Sequence, residues 1–495
     1  MKLNMLDKIK SYISPAAAFE IAKFRSASAL YGGGLYDGAK QSPHYNIQNF
    51  DTTEDEDIAD LQTLRATSRD KYKNNGFYKG VIQAATDHTI GSGLRAKSTI
   101  KHKQISDLTE ERAKQIEAEF DAYFNSWAES TICDITGKDN FQSIQRLAYK
   151  IYKKDGDSFA SLPLSKIGKD RKTIQINLIG AENIQSNKID FIEGIKVSAN
   201  KLPLQYSILQ SDNTFKTISA FSKGKRNVLH VFERERAKQV RGIPFLAPVM
   251  RDIDAIDQYM KYELTAAKLA AIFFGSITTK SKEDLFNQDG SIDLTTGEQT
   301  QTTKNTVKEN SITQLSPDDE LKIHQQGRDN PNFDKYIKTN LQKVSTDTRI
   351  PIEIIMAIFT SSYSASRASM LLMMKFVNPE RMLFINSFCK PTRDQVLTWG
   401  ILQGDIPLTN AEIQSFFDNK SAYLKAMWIG DPMGSVDPVK DIKAHILAID
   451  NFLGNREKAT SDLGNGDFET NVDIQKKELE LIEPLIPKEE NNTNG

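Results

Sequence analysis

The chain carries only 2 cysteines in 495 residues, Cys133 and Cys389, far apart in sequence. That scarcity excludes a disulfide framework and a cysteine-based zinc cluster, and it suits a reducing compartment. Long apolar runs are missing too. No stretch approaches the roughly 20 residues a helix needs to cross a bilayer. Lysines and Glu20 interrupt the opening MKLNMLDKIKSYISPAAAFEIAKF where a signal peptide would need its apolar core. Neither charge is in excess: Lys+Arg 64 against Asp+Glu 65 leaves a net charge of -1. Tight DNA binders draw affinity from neutralised phosphates, so this chain is not expected to grip nucleic acid hard. The expectation is a soluble protein assembled inside a cell.

Signatures of catalysis are also missing. The sequence contains no G-x-x-x-x-G-K-[ST], H-E-x-x-H, C-x-x-C or G-x-S-x-G. Gly32-Gly33-Gly34 lacks the Gly-Lys-Ser/Thr ending and the preceding buried strand of a phosphate loop. The 6 histidines never pair at ligand spacing; His88 reads as a helix-face residue and His230 as a strand residue. Asp252, Asp254 and Asp257 imitate a metal site, but residues two apart on a helix diverge. First-turn acids complementing the helix dipole explain them with less machinery. No catalytic residue, metal or cofactor is expected.

What is present is ordinary globular material, 39% hydrophobic and 26% charged, in a chain long enough for two to four compact units. Residues 1–57 read as a flexible arm ending in the acidic DTTEDEDIAD. Four helices follow. Leu61, Leu64 and Ser68 share one face of the first, and Phe77, Val81, Ala84 and His88 share one of the second. Ile105, Leu108, Ile116, Phe120, Tyr123 and Trp127 mark the third. Phe141, Ile144, Leu147 and Ile151 mark the fourth, with Asp139 as its N-cap. From Gly156 to about residue 234, short β-rich runs separated by turns predict a mostly antiparallel unit.

The stretch HVFERERAKQVRGIPFLAPV then makes an abrupt corner before a long helix. On that helix Ile253, Ile256, Met260, Leu264, Ala267, Ala271 and Phe274 form one stripe. Arg234, Arg236, Lys238 and Arg241 fit either a phosphate contact or a solvated, self-paired corner, because Glu233 and Glu235 interleave with them. Residues 276–328 are a polar excursion. A second helix carries Phe333, Ile337, Leu341 and Val344 in line and is ended by Pro351. FTSSYSASR leads into a methionine-rich helix over about 365–376, after which Pro379 and Pro391 are expected to break the helical segments. Near the C-terminus Asp437-Pro438 caps a helix whose Val439, Ile442, Ile446 and Ile449 point inward.

Several blocks in this order resemble the portal proteins of tailed bacteriophages, in the lambda-type family. They are SRDKYKNNGFYKGVIQAATDHTIGSGL (68–94), NVLHVFERERAKQVRGIPFLAPVMRDIDAIDQYMKYELTAAKLAAIFFGSI (227–277), RIPIEIIM with YSASRASMLLMMKF, and VDPVKDIKAHILAIDNFLGNREKATSDLGNGDFE. The resemblance implies an α+β portal fold. In it a wing spans residues 58–247, with a first stem helix at 248–275, a clip at 276–328 and a second stem helix at 329–350. A tunnel loop would lie at 351–368, further wing helices at 369–430, a crown at 431–482 and a disordered tail at 483–495. Phe359, Thr360, Ser361, Ser362, Tyr363 and Ser364 would edge the DNA channel. Arg241, Gly242, Pro244 and Pro248 would form the wing–stem hinge, where glycine supplies freedom that the prolines restrict. Met370, Met373 and Met374, with the long stem stripe, would meet a neighbouring subunit.

Members of that family close into rings, usually of twelve, at one capsid vertex. The implied partners are further copies of the chain, the terminase large subunit, major capsid and scaffold proteins, a head–tail adaptor and double-stranded DNA. A weak overall grip on phosphates suits a conduit through which DNA slides. Two other readings stay open at this stage: a DNA-processing enzyme of the packaging machinery, and a structural adaptor that forms no ring.

Overall fold

The structure is a computed structural model. It describes residues 54–482 apart from 107, 168–170, 223, 273–275, 280–318, 323–329, 331, 359–361, 433–436, 465 and 467. The arm before residue 54, the glycine triplet, most of the 276–328 excursion, Phe359, Thr360, Ser361 and the tail after 482 therefore lie outside the described residues. By its contacts the chain divides into Met1–Asp60 and Leu61–Gly495, and the second unit holds the core and every described strand.

Four helices open the fold: α1 (Glu54–Asn74), α2 (Gly76–Thr89), α3 (Glu110–Glu129) and α4 (Phe141–Asp155), with strand β1 (Arg95–Ser98) between the second and third. Side-chain caps start three of them. Asn75, Thr109 and Asn140 accept from the backbone N–H of Tyr78, Arg112 and Ser143. The fourth cap is thus Asn140 and not Asp139, whose own N–H donates to the Asp134 carboxylate in the preceding turn. The inner face of α4 also differs from expectation: Leu147 is exposed, while Ala148, Tyr149 and Tyr152 are buried. Buried Gln145 brings that face inward by bonding both the N–H and the carbonyl of Leu94.

The β-rich stretch folds as predicted into short antiparallel ladders. Its strands are β2 (Ser158–Ser161), β3 (Leu164–Ile167), β4 (Arg171–Ile174), β5 (Asn177–Ile179), β6 (Ile195–Val197), β7 (Pro203–Leu209), β8 (Phe215–Ser219), β9 (Phe221–Ser222), β10 (Lys225–Arg226) and β11 (Val228–Val231). They pair in the orders β11-β2-β5, β3-β4, β6-β7-β8 and β10-β9. Phe159, Ile179, Ile184, Ile195, Tyr206 and Val228 make a small core of their own beneath them.

A 3-10 turn, Ala247–Val249, leads into α5 (Met250–Ile272). Strands β12 (Ser276–Thr279) and β13 (Asp319–Lys322) pair antiparallel and so close the neck of the polar excursion. The chain returns as α6 (Phe333–Thr348), which packs on α5 through Ile256, Ile337 and Leu341. The α5 stripe is buried only at its start. Ile253 and Ile256 are covered, whereas Met260 and Leu264 are 39% and 57% exposed.

After α7 (Ile352–Met356) comes α8 (Tyr363–Phe384), then a π-turn at Ile385–Cys389 and α9 (Lys390–Gln403) without interruption. Pro379 sits inside α8 and does not break it. Its ring and the neighbouring Asn378 are exposed, so the carbonyl that loses its partner lies on the watered side. Pro391 directly follows the π-turn and does not break the helix either; the widened turn accommodates its ring where a carbonyl of the preceding turn loses its donor. Then follow α10 (Asn410–Asp418), α11 (Lys420–Tyr423) and β14 (Ala426–Ile429), which pairs with β1 and ties the late chain to the early one. The main core runs from Tyr78 and Ile116 through Phe141 and Tyr149 to Phe384, Phe388 and Tyr423.

Three helices finish the described chain: α12 (Pro438–Asp450), α13 (Arg456–Asp462) and α14 (Phe468–Ile482). Asp437 caps α12 as expected, accepting from Lys440 N–H. Its apolar stripe does not point inward, however: Val439, Ile442 and Ile446 are exposed and no α12 residue is buried. Periodicity identified an apolar face, but among the described residues nothing covers it.

Candidate functional site

The corner before α5 is built around one carboxylate. α4 ends at Asp155, and Gly156 turns the chain with φ 84. Asp157 then opens the β2 segment, fully buried. Its Oδ2 accepts from Arg241 Nε at 2.5 Å and from Arg65 Nη2 at 2.6 Å. Its Oδ1 accepts the Gly242 N–H at 2.5 Å and faces His230 Nε2 at 3.3 Å. Arg241 continues to the carbonyls of Ala181, Ile184 and Glu193. Arg65 reaches the carbonyls of Asp155 at 2.8 Å and Gly242 at 3.3 Å. His230 is stacked between Phe159 and Phe232, with ring centroids 4.2 and 4.3 Å away.

The electrostatics follow from that geometry. Burial works to raise the Asp157 carboxyl, but Arg241 and Arg65 overcome it and hold the group well below the usual carboxylate range. Burial pushes Arg65 down to about 10 against the pull of Asp157. Burial likewise lowers His230, with Asp157 opposing. Every side of the carboxylate meets a donor, so it has no lone pair left to offer a substrate proton. The arrangement is a cross-link joining α1, β2, β11 and the chain entering α5.

Two features of the corner differ from the sequence reading. Arg241 is buried and fully bonded, while only the run Glu233–Lys238 is solvated. Gly242 does not use a left-handed backbone. It is needed because a Cβ there would collide with the Gly156 carbonyl, so two backbones touch with no side chain between them. Pro244 is buried and Pro248 stands in the first turn of the 3-10 segment, exposed. Phe245 N–H donates to the Lys153 carbonyl at 3.1 Å, fastening the corner to the end of α4.

A second buried pair lies beside it. Lys153 Nζ meets Glu380 Oε1 at 2.8 Å, and the Tyr149 hydroxyl donates to Glu380 Oε2 at 3.1 Å. The ammonium also sits 4.2 Å from the Phe245 ring centroid and 4.5 Å from that of Tyr152. This pair ties α4 to α8 one residue from Pro379. Sequence reasoning missed Asp157, Arg65, Lys153 and Glu380. The available signal was faint: in KDGDSFA, Asp157 stands between Gly156 and Ser158 directly before a β-rich run.

The other predicted residues are placed as follows. Ser362 is the N-cap of α8, accepting from Ala365 N–H, and Tyr363 and Ser364 belong to the first helical turn instead of a loop. Met370 and Met374 are half-buried, but Met373 is 2% exposed and packs in the chain's own core, which removes it from a surface another subunit could touch. The acids of α5 go to lysines: Asp252 to Lys343, Asp254 to Lys71 and Asp257 to Lys261. Among the described residues no group of three or more His, Cys, Asp or Glu is close enough to hold a metal ion.

The chain thus has an α+β fold whose corner, before two packed helices, is cross-linked by buried charge. The chain belongs to the lambda family of phage portal proteins: the family model described as "Phage portal protein, lambda family" matches residues 44–379. It is 20% identical to "Portal protein B" of Escherichia phage lambda over 437 residues, covering 81% of this chain and 80% of that one. It is 21% identical to the "Portal protein" of Escherichia phage N15 over 492 residues, covering 92% of this chain and 91% of that one. A chain of the solved structure "Neck of native GTA particle computed with C12 symmetry" is similar at 10% identity and a TM-score of 0.46, covering 82% of this chain and 93% of that one.

Proposed function

We propose that copies of this chain close into a ring at one vertex of a phage capsid and connect head to tail. DNA is packaged through the ring and later leaves through it. Terminase docks during packaging, a head–tail adaptor follows, and capsid and scaffold proteins surround the ring during assembly in the host cytoplasm. The observation that carries this reading is the family match across residues 44–379. The packing of α5 on α6, joined beyond them by the β12–β13 ladder, supports assigning 248–275 and 329–350 as two stem helices with a clip between. The exposed far half of the α5 stripe and the open face of α12 support broad contacts between neighbours in a closed ring. By the same reading 58–247 and 369–430 form the wing, 431–482 the crown, and the segment ending at Ser364 edges the channel.

Native mass analysis of the purified chain, with electron micrographs of the same sample, tests the proposal. Subunits of 55.7 kDa closing around a central hole are expected. A monomer at every concentration, with or without scaffold, would favour a ringless adaptor. Ser361→Lys and Ser364→Lys are expected to retard DNA passage. Unchanged packaging and genome retention would take those residues away from the duplex.

A further inference from the structure

A cleft of about 880 Å³ lies between α8, α9, α11, β14 and the β9–β10 ladder, away from the corner. Lys225, Arg226, Lys390, Arg393, Lys420 and Lys425 line it, and Asp394 is the one acid among its described lining residues. The cations crowd one another: burial lowers both Lys225 and Lys420, and Lys420 lowers Lys225 further. Between them the wall is apolar, with Leu402, Phe417 and Met382 exposed. On the same wall one donor, Arg393 Nε, and two acceptors, Asp394 Oδ1 and Gln395 Oε1, are buried with no hydrogen-bond partner among the described residues.

That combination suits a ligand bringing carboxylates and aliphatic side chains together, which is an acidic peptide segment. A nucleic-acid backbone would meet the lysines, but its phosphates and sugars would leave the exposed Leu402, Phe417 and Met382 without an apolar partner. The chain itself presents such a segment. The end of α14 alternates Glu478, Leu479, Glu480, Leu481 and Ile482, and no α14 residue is buried. Leu479 and Leu481 are 64% and 73% exposed.

Within one copy no residue of α14 is among the described residues that line the cleft. Glu469, at the start of α14, pairs with Lys97 of β1 at 3.4 Å, and Lys97 stands opposite Met427 of β14, which lines the cleft. The acidic end of the helix lies about 14–20 Å from Glu469 along the helix axis. We propose that the cleft receives the acid–aliphatic end of α14, Glu478–Ile482, from a second copy of the chain. Each copy then offers a cleft to one neighbour and a helix end to the other, a head-to-tail contact that closes a ring. The inference rests on the ring reading above.

Cysteine cross-linking tests it on the full chain. Leu402→Cys is placed in one preparation and Leu481→Cys in another, and the two are co-assembled and oxidised. Native Cys133 and Cys389 are buried and do not compete. A band at twice the chain mass is expected from the mixture and from neither variant alone. Reversing the cleft charge with Lys390→Glu and Lys420→Glu should lower its yield severalfold. Glu478→Lys and Glu480→Lys in the other preparation should restore it. Rings that form without this band overturn the inference alone. A chain that never forms rings overturns the ring and the inference together. A chain carrying both cysteines that links only within itself also overturns it, because the segment would then belong to the same copy.

Discussion

The corner around Asp157 and the three C-terminal helices solve opposite problems. At the corner, charged groups sit where water cannot reach, and every one is matched. In α12, apolar groups sit where water is everywhere, and none is matched among the described residues. A buried carboxylate flanked by two guanidinium groups is costly to desolvate, so each partner becomes indispensable once the others are inside. An open apolar stripe has no such interdependence within its own chain and acquires meaning only when another surface covers it. Buried, matched charge and an uncovered apolar face are therefore located in different places.

Substitutions can break this contrast. Asp157→Ala leaves Arg241 and Arg65 buried without a counter-charge, and should cost about 3–5 kcal/mol in denaturant unfolding. A loss below about 1 kcal/mol would mean that water enters the corner. Met373→Ala should follow with a loss of about 2–5 kcal/mol in the same assay, because it removes a core side chain. If the loss appears in ring formation while unfolding is untouched, Met373 belongs to a contact surface after all. Gly242→Ala forces the corner apart from Gly156 and should cost about 1–3 kcal/mol, in the manner of overpacking. Ile446→Ser on the open α12 face should stay within about 0.5 kcal/mol for the isolated chain yet reduce ring yield. An equal drop in chain stability would show that the α12 face is covered from within.

Acidity sharpens the same comparison. Asp157 and His230 are both lowered in the folded state, so the stability they contribute is present above their unfolded values of about 3.9 and 6.5. It is lost as the pH falls, and acid should loosen the corner before the C-terminal helices. Asp394 has the reverse sign. Burial raises it to about 6, so its contribution is full below its unfolded value and is lost as the pH rises through about 6. Between about pH 4 and 7 His230 works in the opposite direction, so the loss assigned to Asp394 is the amount by which unfolding midpoints rise less with pH in the wild type than in Asp394→Asn. A variant with the same profile would acquit Asp394 of it.

How much of this was legible beforehand depended on whether the deciding interaction was local. The β ladders and the inner row of α6 were readable because alternation and 3.6-residue spacing are properties of a short window. Asp157 was not, because its partners Arg65 and Arg241 are 92 and 84 residues away. Pro379 misled because a proline's effect depends on which side of the helix faces water, and that is decided by tertiary packing. Val439, Ile442 and Ile446 misled in a different manner: period alone cannot say whether an apolar face is covered by its own chain. Arg241 and Gly242 do meet at the corner, but what Gly242 supplies there is close approach and not backbone freedom.

The α5 helix has 23 residues, about 34 Å at 1.5 Å of rise each, and the corner grips only its first turns. In mechanical terms α5 and α6, packed on each other through Ile256, Ile337 and Leu341, form one braced lever. A sideways push at the far end, near the β12–β13 neck, reaches the base multiplied by that arm. Apolar packing slides under such a load, because dispersion contacts have no preferred direction. Short hydrogen bonds from fixed guanidinium forks to one carboxylate resist rotation about every axis. Stiffness at the root of the lever is what lets displacement at its tip be passed into the rest of the chain instead of being absorbed at the joint.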